Sequence, residues 1–339
     1  MTGLQVTWFI LFFVLIIGYA ILDGFDLGVG MLHLFTRDKK ERQCLINSIA
    51  PFWDGNEVWL LIGGGTLFAA FPVVYATLFS SFYLAFMLLL LALIFRAVSI
   101  EFRGQVDSAR WVRVWDWAFG LGSTVPALLF GVTLGNVLRG LPLNQDNVFI
   151  GSFIGLLNPY ALVAGVFSLM TFTMHGAAYL TVKTEGPLQT RMSQWVSRCW
   201  AAFVILNIVM AIFTFFECRY LFDDMLKNVV FWVFFILLWG AIIYIPTANK
   251  AGRHLRCFLS TSAAILAMLG LAGVSMFPRL LPSWTDLSHS LTIYNSSSTQ
   301  RTLTVMLVII LVGMPMVIAY HVFIYRIFKG KATSLELYH

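Results

Sequence analysis

The chain has 339 residues, of which 59% are hydrophobic and 11% are charged, and its mean hydropathy is +0.84. A soluble domain is about 45–50% apolar and about 25% charged, so this composition excludes a soluble globular protein, a disordered chain and a DNA-binding domain. The net charge of +6 is no argument for an anionic partner, because an excess of Lys and Arg in a membrane protein reports its topology.

Nine apolar runs are long enough to cross a bilayer as helices, which takes about 20 residues each. Barrel strands would be alternating segments of about 10 residues, whereas the runs here are longer and unbroken. No basic residue and no A-x-A cleavage site accompanies the first run, so we expect a retained span rather than a signal peptide. The predicted spans of this all-α polytopic membrane protein are roughly 7–34, 50–71, 75–99, 116–138, 158–182, 195–216, 229–248, 255–277 and 303–327.

The basic residues predict the orientation of the chain. The loops after the odd-numbered spans, together with the C-terminal tail, contain 17 of the 22 Lys and Arg residues. Because basic loops stay on the cytoplasmic side, we expect the N-terminus outside and the C-terminus in the cytoplasm. The expected location is the bacterial cytoplasmic (inner) membrane.

No long linker interrupts the spans, so residues 1–339 are predicted to form a single integral-membrane domain. Residues 64–72 and 271–278 resemble each other, and both segments end a span with Phe-Pro. This similarity fits an internal duplication of roughly 1–140 and 155–280, with a last helix at 303–328. Segments this short also match by chance, so both explanations stay open.

Acidic residues lie inside the first two predicted spans, where each costs about 2.5–3.5 kcal/mol of insertion free energy. Asp23 and Asp26 are three residues apart, as are Asp54 and Glu57, which places each pair on one helix face. A short basic loop joins the two spans into a predicted antiparallel hairpin. At 1.5 Å per residue, Asp26 and Asp54 lie within about 6–12 Å of the cytoplasmic surface, and Glu101 flanks the third loop on the same side.

These acids have a structural and a functional interpretation. Asp23 or Asp54 can pair with Arg96 or cap a broken helix, and the glycines beside Asp23 allow close helix packing. The whole set, at one depth, favours a proton or cation path, because carboxyl groups are the usual proton relays in membranes. The predicted proton path consists of Asp54, Glu57, Asp26, Asp23 and Glu101.

Two histidines, His175 and His321, lie inside predicted spans, where a histidine can be an axial haem ligand. A single His on a helix is more often a hydrogen-bonded packing residue, so we predict no haem ligated by this chain. No CxxCH, Walker A, HExxH or GxGxxG pattern occurs, and the four cysteines form no CxxC pair. We therefore predict no metal site, no catalytic residue and no nucleic-acid partner.

Two long motifs and several short ones stand out along the chain. The long motifs are 18–30 (GYAILDGFDLGVG) and 47–60 (NSIAPFWDGNEVWL). The short ones are 68–72 (FAAFP), 110–111 (RW), 115–117 (WDW), 157–159 (LNP) and 277–278 (FP). Together they resemble subunit II of cytochrome bd-type quinol oxidases over about residues 10 to 328.

The resemblance implies a fold of two four-helix bundles plus a peripheral helix. It implies a haem-bearing subunit I as the partner, which carries haem b558, haem b595 and haem d and oxidises quinol. Subunit II then stabilises subunit I, can hold a structural quinone, and contributes acids that deliver cytoplasmic protons for the reduction of oxygen to water. Small single-helix accessory subunits and membrane lipids are further expected neighbours.

Two positions depart from the pattern of the family. Phe52 stands where some members have His, and Glu57 stands where some have Gln, so a proton path at position 52 needs water or another group. The chain is also short around its sixth and seventh spans, which resembles the cyanide-insensitive branch. Two alternatives stay open: a proton-coupled secondary transporter, which broken helices and a repeat also suit, and an assembly scaffold whose acids only pair with arginines.

Overall fold

The computed structural model describes residues 2–223 and 225–332, and within them the chain is almost entirely helical. One small two-stranded antiparallel sheet and a few short 3-10 turns lie in the loops. The elements are α1 (Thr2–Phe35), α2 (Lys39–Ile49), α3 (Trp53–Ala70), α4 (Pro72–Ser81), α5 (Tyr83–Phe102), α6 (Ala109–Arg139), α7 (Pro159–Lys183), α8 (Gly186–Glu217), α9 (Val229–Lys250), α10 (His254–Met276), β1 (Arg279–Leu281), β2 (Leu291–Thr292) and α11 (Gln300–Ile327).

The long helices confirm the prediction of an all-α polytopic membrane protein. Among the described residues, eight helices are long and apolar enough to cross a membrane: α1 and α5 to α11. The pair α3 and α4 passes the same test together and is bent by 119° between the two helices. If this bent pair is one span, the described chain has the nine spans that the apolar runs predict.

The structure corrects the predicted region between the first and fourth spans. Residues 39–49 form the helix α2, where a simple loop was expected, because a polar helix carries no apolar run that would signal it. The predicted third span 75–99 is divided, since α4 ends at Ser81 and α5 begins at Tyr83. The sharp bend falls at Phe71–Pro72, where proline has no amide hydrogen and disfavours helical backbone in the residue before it.

The spanning helices pack as two groups of four with one helix outside them. In the first group α1 packs on α3 and α6, and α6 packs on α5. In the second group α7 packs on α8 and α10, and α9 packs on α10 and α8. The groups join where α1 and α6 meet α7, and α11 lies outside against α1 and α3.

The joint between the groups brings two helix backbones into direct contact. A Cβ atom on Gly28 of α1 would lie 2.0 Å from the carbonyl oxygen of Phe172, and one on Gly176 of α7 would lie 2.5 Å from the carbonyl carbon of Gly28. No side chain larger than hydrogen fits at either position. This contact fixes α1, with its two aspartates, against the second group.

Two ends of the bundle differ in character. The end where α1 finishes and α3 begins contains most of the Lys and Arg residues, and it is called the basic end below. At the other end, β1 and β2 form an antiparallel pair, and Leu141 bridges to Ser283. The N-terminus of α1 is tied to α11 there, because the indole N–H of Trp8 donates to the carbonyl of Leu303 at 3.0 Å.

Candidate functional site

A fully buried arginine organises the acids near the basic end. The Arg96 guanidinium, from α5, binds both carboxylate oxygens of Asp23 on α1, with Nη1 to Oδ2 at 2.9 Å. Its Nη2 also lies 2.9 Å from Oε1 of Glu57 on α3. One guanidinium therefore contacts two carboxyl groups. The structure also contains the pairing of Asp23 with Arg96 that the sequence analysis left open.

Asp26 lies one turn from Asp23, toward the basic end, and has different partners. Its Oδ2 accepts a hydrogen bond from Asn56 Nδ2 at 2.8 Å, while its Oδ1 is buried without a partner among the described residues. The same Nδ2 donates to the carbonyl of Leu22 at 3.1 Å, and Asn56 Oδ1 accepts from the Tyr325 hydroxyl at 3.3 Å. Asp23, Asp26, Asn56, Glu57 and Arg96 are called the acid network below.

The other two predicted site residues lie at the surface. Asp54 is exposed in the first turn of α3, one turn before Glu57, whose side chain is 24% exposed. Glu101 is exposed near the end of α5. The structure thus brings Asp23, Asp26 and Glu57 together, leaves Asp54 one turn outside the buried set, and places Glu101 apart from it.

A second polar cluster surrounds Asp116 at the basic end. Arg103 Nε donates to Asp116 Oδ1 and Arg42 Nη1 donates to Oδ2, both at 2.7 Å, and His33 Nε2 lies 3.2 Å from Oδ1. Arg103 also binds the side chain of Gln43. Both carboxylate oxygens of Asp116 are engaged, so this cluster ties α1, α2 and α6 to the end of α5.

The histidines that the sequence analysis considered as haem ligands, His175 and His321, are both hydrogen-bonded. His175 Nε2 lies 2.9 Å from the carbonyl of Ile21, and its Nδ1 lies 2.7 Å from the Thr261 hydroxyl. His321 Nδ1 lies 2.8 Å from the carbonyl of Val317, and its Nε2 accepts from Trp59 at 3.3 Å. No ring nitrogen of either residue points at an open ligand position.

A large apolar cavity of about 580 Å³ begins on the far side of the acid network from the basic end. Helices α1 and α6 to α10 all contribute side chains to its wall. Tyr19 also lines it, and this residue is 4% exposed with a hydroxyl that has no partner among the described residues. Tyr19 lies one helical turn from Asp23, so the cavity and the acid network are neighbours along α1. Representative lining residues are Phe12, Phe130, Tyr160, Phe167, Met210 and Trp239.

Sequence reasoning did not assign a role to Asn56, Tyr19 or Tyr325. Asn56 lies inside a quoted motif, but nothing local indicates that its amide faces Asp26 from another helix. Tyr325 is 269 positions from Asn56 along the chain, so their contact follows only from the packing of α11. The cavity depends on the meeting of eight helices, α1, α3, α4 and α6 to α10, which no short pattern encodes.

The described residues contain no group of three or more His, Cys, Asp or Glu side chains suited to a metal ion.

Comparison with known proteins gives the class of this molecule. The profile of the family described as cytochrome bd terminal oxidase subunit II matches residues 4–328. The chain belongs to this family and is a subunit of an oxidoreductase complex, in which a subunit II works beside a subunit I and the complex carries haem.

Individual relatives agree over almost the whole chain. The cytochrome bd-I ubiquinol oxidase subunit 2 of Escherichia coli strain K12 is 36% identical, covering 98% of this chain and 96% of that protein. The cytochrome bd ubiquinol oxidase subunit 2 of Bacillus subtilis strain 168 is 34% identical, covering 99% of both chains. A chain of the bd oxidase structure from Geobacillus thermodenitrificans has the same fold, with a TM-score of 0.81 at 16% identity, covering 97% of this chain and 99% of that one.

Proposed function

We propose that the chain is the non-haem subunit of a quinol:oxygen oxidoreductase that reduces oxygen to water. It stabilises a subunit I that holds haem b558, haem b595 and haem d, and it supplies a path for cytoplasmic protons. One observation carries the proton path: Asp26 is fully buried near the basic end, and one of its carboxyl oxygens has no partner among the residues that the structure describes. A buried carboxyl group with an open oxygen has a place for an exchanging water or proton.

Charge balance supports a role in proton transfer. Asp23, Asp26 and Glu57 are three carboxyl groups, and the cation beside them is Arg96, which contacts Asp23 and Glu57 but not Asp26. Full ionisation would leave an excess of negative charge in a low-dielectric region, which is costly. Protons bound within the set relieve this cost, and a set that shares protons can pass them on.

The proposed path runs inward along α3 and then across to α1. Asp54 is exposed at the helix start, and Glu57 follows one turn deeper on the same face. Glu57 meets Arg96 beside Asp23, and Asp26 lies one turn away from Asp23 on α1. Glu101 is exposed at the end of α5 and serves as a surface acid that raises the local proton supply.

The hydrogen bonds of His175 and His321 support the non-haem assignment. An axial ligand needs a ring nitrogen free to face the iron. In this chain the nitrogens of both residues already contact Ile21, Thr261, Val317 or Trp59.

The apolar cavity supports the proposal of a structural quinone in this chain. Aromatic and aliphatic walls fit an isoprenoid tail, and the unpartnered Tyr19 hydroxyl provides a hydrogen bond for a quinone carbonyl. A bound quinone supplies a redox-active ring, while the side chains of this chain hold and enclose it. Membrane lipids and single-helix accessory subunits cover the exposed helix faces outside the contact with subunit I.

The topology is proposed with the N-terminus outside and the C-terminus in the cytoplasm of a bacterial inner membrane. The distribution of Lys and Arg supports it. The two helix groups, α1 to α6 and α7 to α10, also correspond to the proposed duplication of roughly 1–140 and 155–280, followed by α11.

The Asp26→Asn variant tests the proton path. Asparagine keeps the shape and the contact with Asn56 but has no titrating group, so quinol-driven oxygen consumption should fall severalfold while haem content stays normal. Asp107→Asn is the matched control, because Asp107 is an exposed acid on the loop after α5. Full turnover in Asp26→Asn would contradict the proposal, and so would an equal loss in both variants.

A further inference from the structure

The peripheral helix α11 has little buried surface of its own. Leu303 is its one buried residue within the described chain. Toward the basic end, however, several specific bonds hold α11 and the residues after it. These bonds place one aromatic hydroxyl against the acid network.

A reciprocal pair of lysines fixes the segment that follows α11. Lys331 Nζ donates to the carbonyls of Val182 and Thr184 at the end of α7, at 2.8 and 3.1 Å. In return, Lys183 Nζ binds the carbonyls of Phe328 and Gly330. Cations at helix C-termini satisfy carbonyls that lack a partner within the helix. Each lysine therefore caps the helix end of the other segment.

Tyr325 lies one turn before this segment and is oriented by stacking. Its ring stacks on the ring of Phe52, with centroids 4.4 Å apart. Lys183 Nζ lies 4.9 Å from the centroid of that Phe52 ring. The Tyr325 hydroxyl then donates to Asn56 Oδ1 at 3.3 Å. The lysine pair and the stack therefore position the Tyr325 hydroxyl to bond to Asn56, whose amide contacts Asp26.

The Tyr325 bond completes the hydrogen bonding of Asn56. Nδ2 donates to Asp26 and to Leu22, and Oδ1 accepts from Tyr325, so both ends of the amide are engaged. Asn56 is fully buried, and a buried amide oxygen without a donor is costly. Without the hydroxyl, that cost is relieved when Asn56 turns or shifts away from Asp26.

We propose that Tyr325 is a positioning residue for proton transfer, which holds Asn56 against Asp26 so that Oδ1 of Asp26 stays the open oxygen. This inference rests on the proposed proton path through Asp26. Tyr325 acts through Asn56, and it neither binds quinol nor touches haem in this proposal.

The test uses the Tyr325→Phe variant of the complete oxidase complex. Phenylalanine keeps the stack on Phe52 and removes only the hydroxyl, so assembly and haem content should stay normal. Turnover should fall about fivefold, the size expected for the loss of one ordinary hydrogen bond. The KM for quinol should not change. The ratio of turnover in H2O to turnover in D2O should rise, because proton delivery becomes more rate-limiting.

Tyr320→Phe is the matched control, since Tyr320 lies on the same helix and is 50% exposed. It should retain wild-type turnover and isotope effect. Wild-type behaviour of Tyr325→Phe while Asp26→Asn shows the severalfold loss would overturn the positioning role alone. Full activity of Asp26→Asn would instead remove the proton path on which this role rests. Loss of haem content in Tyr325→Phe would make the residue structural and would also overturn the proposal.

Discussion

Asp54 occupies an exposed position in the first turn of α3, while Glu57 and the buried acids lie deeper. A carboxylate in a first turn gains about 0.3–1 kcal/mol from the helix dipole. Asp54 therefore needs no buried partner, whereas the fully buried Asp23 is bound to Arg96. Its place at the surface is suited to collecting protons rather than storing them.

We expect Asp54→Asn to reduce quinol-driven oxygen consumption severalfold, with assembly and haem content near normal. The amide keeps the shape of the side chain and removes the titrating group at the start of the proposed path. Oxygen consumption is measured between pH 6 and 8 on purified complex. Full turnover across this range would make Asp54 structural, and loss of the complex would assign it to folding.

Single residues also show what the sequence can and cannot predict. The sequence predicted Asp23, Asp26, Asp54 and Glu57 at one depth, because helical spacing along α1 and α3 is a local property. The structure brings three of them together and leaves Asp54 at the surface. The sequence allowed the pairing of Asp23 with Arg96 without deciding it, since these residues are 73 positions apart. Asn56 and Tyr19 were missed because their roles depend on neighbours from other helices.

At the scale of helices, the contact between the backbones of α1 and α7 positions the acid network. Gly28 and Gly176 let the two backbones touch, so the position of Asp26 two residues earlier depends on this contact. Apolar runs predicted these helices well, because a membrane span is a property of composition. They also predicted the end of a span at Phe71–Pro72. They did not predict α2, whose sequence is polar, or the break between Ser81 and Tyr83, where two apolar helices follow each other without a polar gap.

Gly28→Ala should destabilise the complex, because the added Cβ would lie 2.0 Å from the carbonyl oxygen of Phe172. Forced overpacking costs about 1–3 kcal/mol even where side chains can adjust, and here the neighbour is backbone. Gly64→Ala is the control, since nothing lies within 4 Å of a Cβ there. The midpoint of thermal unfolding should drop for Gly28→Ala alone, and equal midpoints would refute the close-contact explanation.

At the scale of the whole molecule, the helices leave broad apolar faces exposed on the isolated chain. On α5 these include Leu84, Met87, Leu91 and Phe95, and on α11 they include Val308, Leu311 and Met316. A subunit II works beside a subunit I. Part of this exposed apolar surface is therefore expected to meet the partner.

Purification through this chain should yield a heterodimer with a large haem-bearing subunit, seen as haem bands in the visible spectrum. An organic extract of the same preparation should contain quinone, as the apolar cavity leads us to expect.

His175→Ala and His321→Ala should leave every haem band intact when the complex assembles. A stable, monodisperse chain purified without haem would contradict the partnership, and would favour a transporter.

The bond between Asp23 and Arg96 also has a consequence for biosynthesis. The ribosome makes Asp23 first, and Arg96 follows 73 residues later. At about 5–20 residues per second, α1 waits about 4–15 s before its counter-ion leaves the ribosome. During that interval Asp23 and Asp26 face the insertion machinery without Arg96. We therefore expect the first helix to stay sheltered at the translocon until α5 arrives, so that membrane integration of this chain is completed by groups of helices rather than one helix at a time.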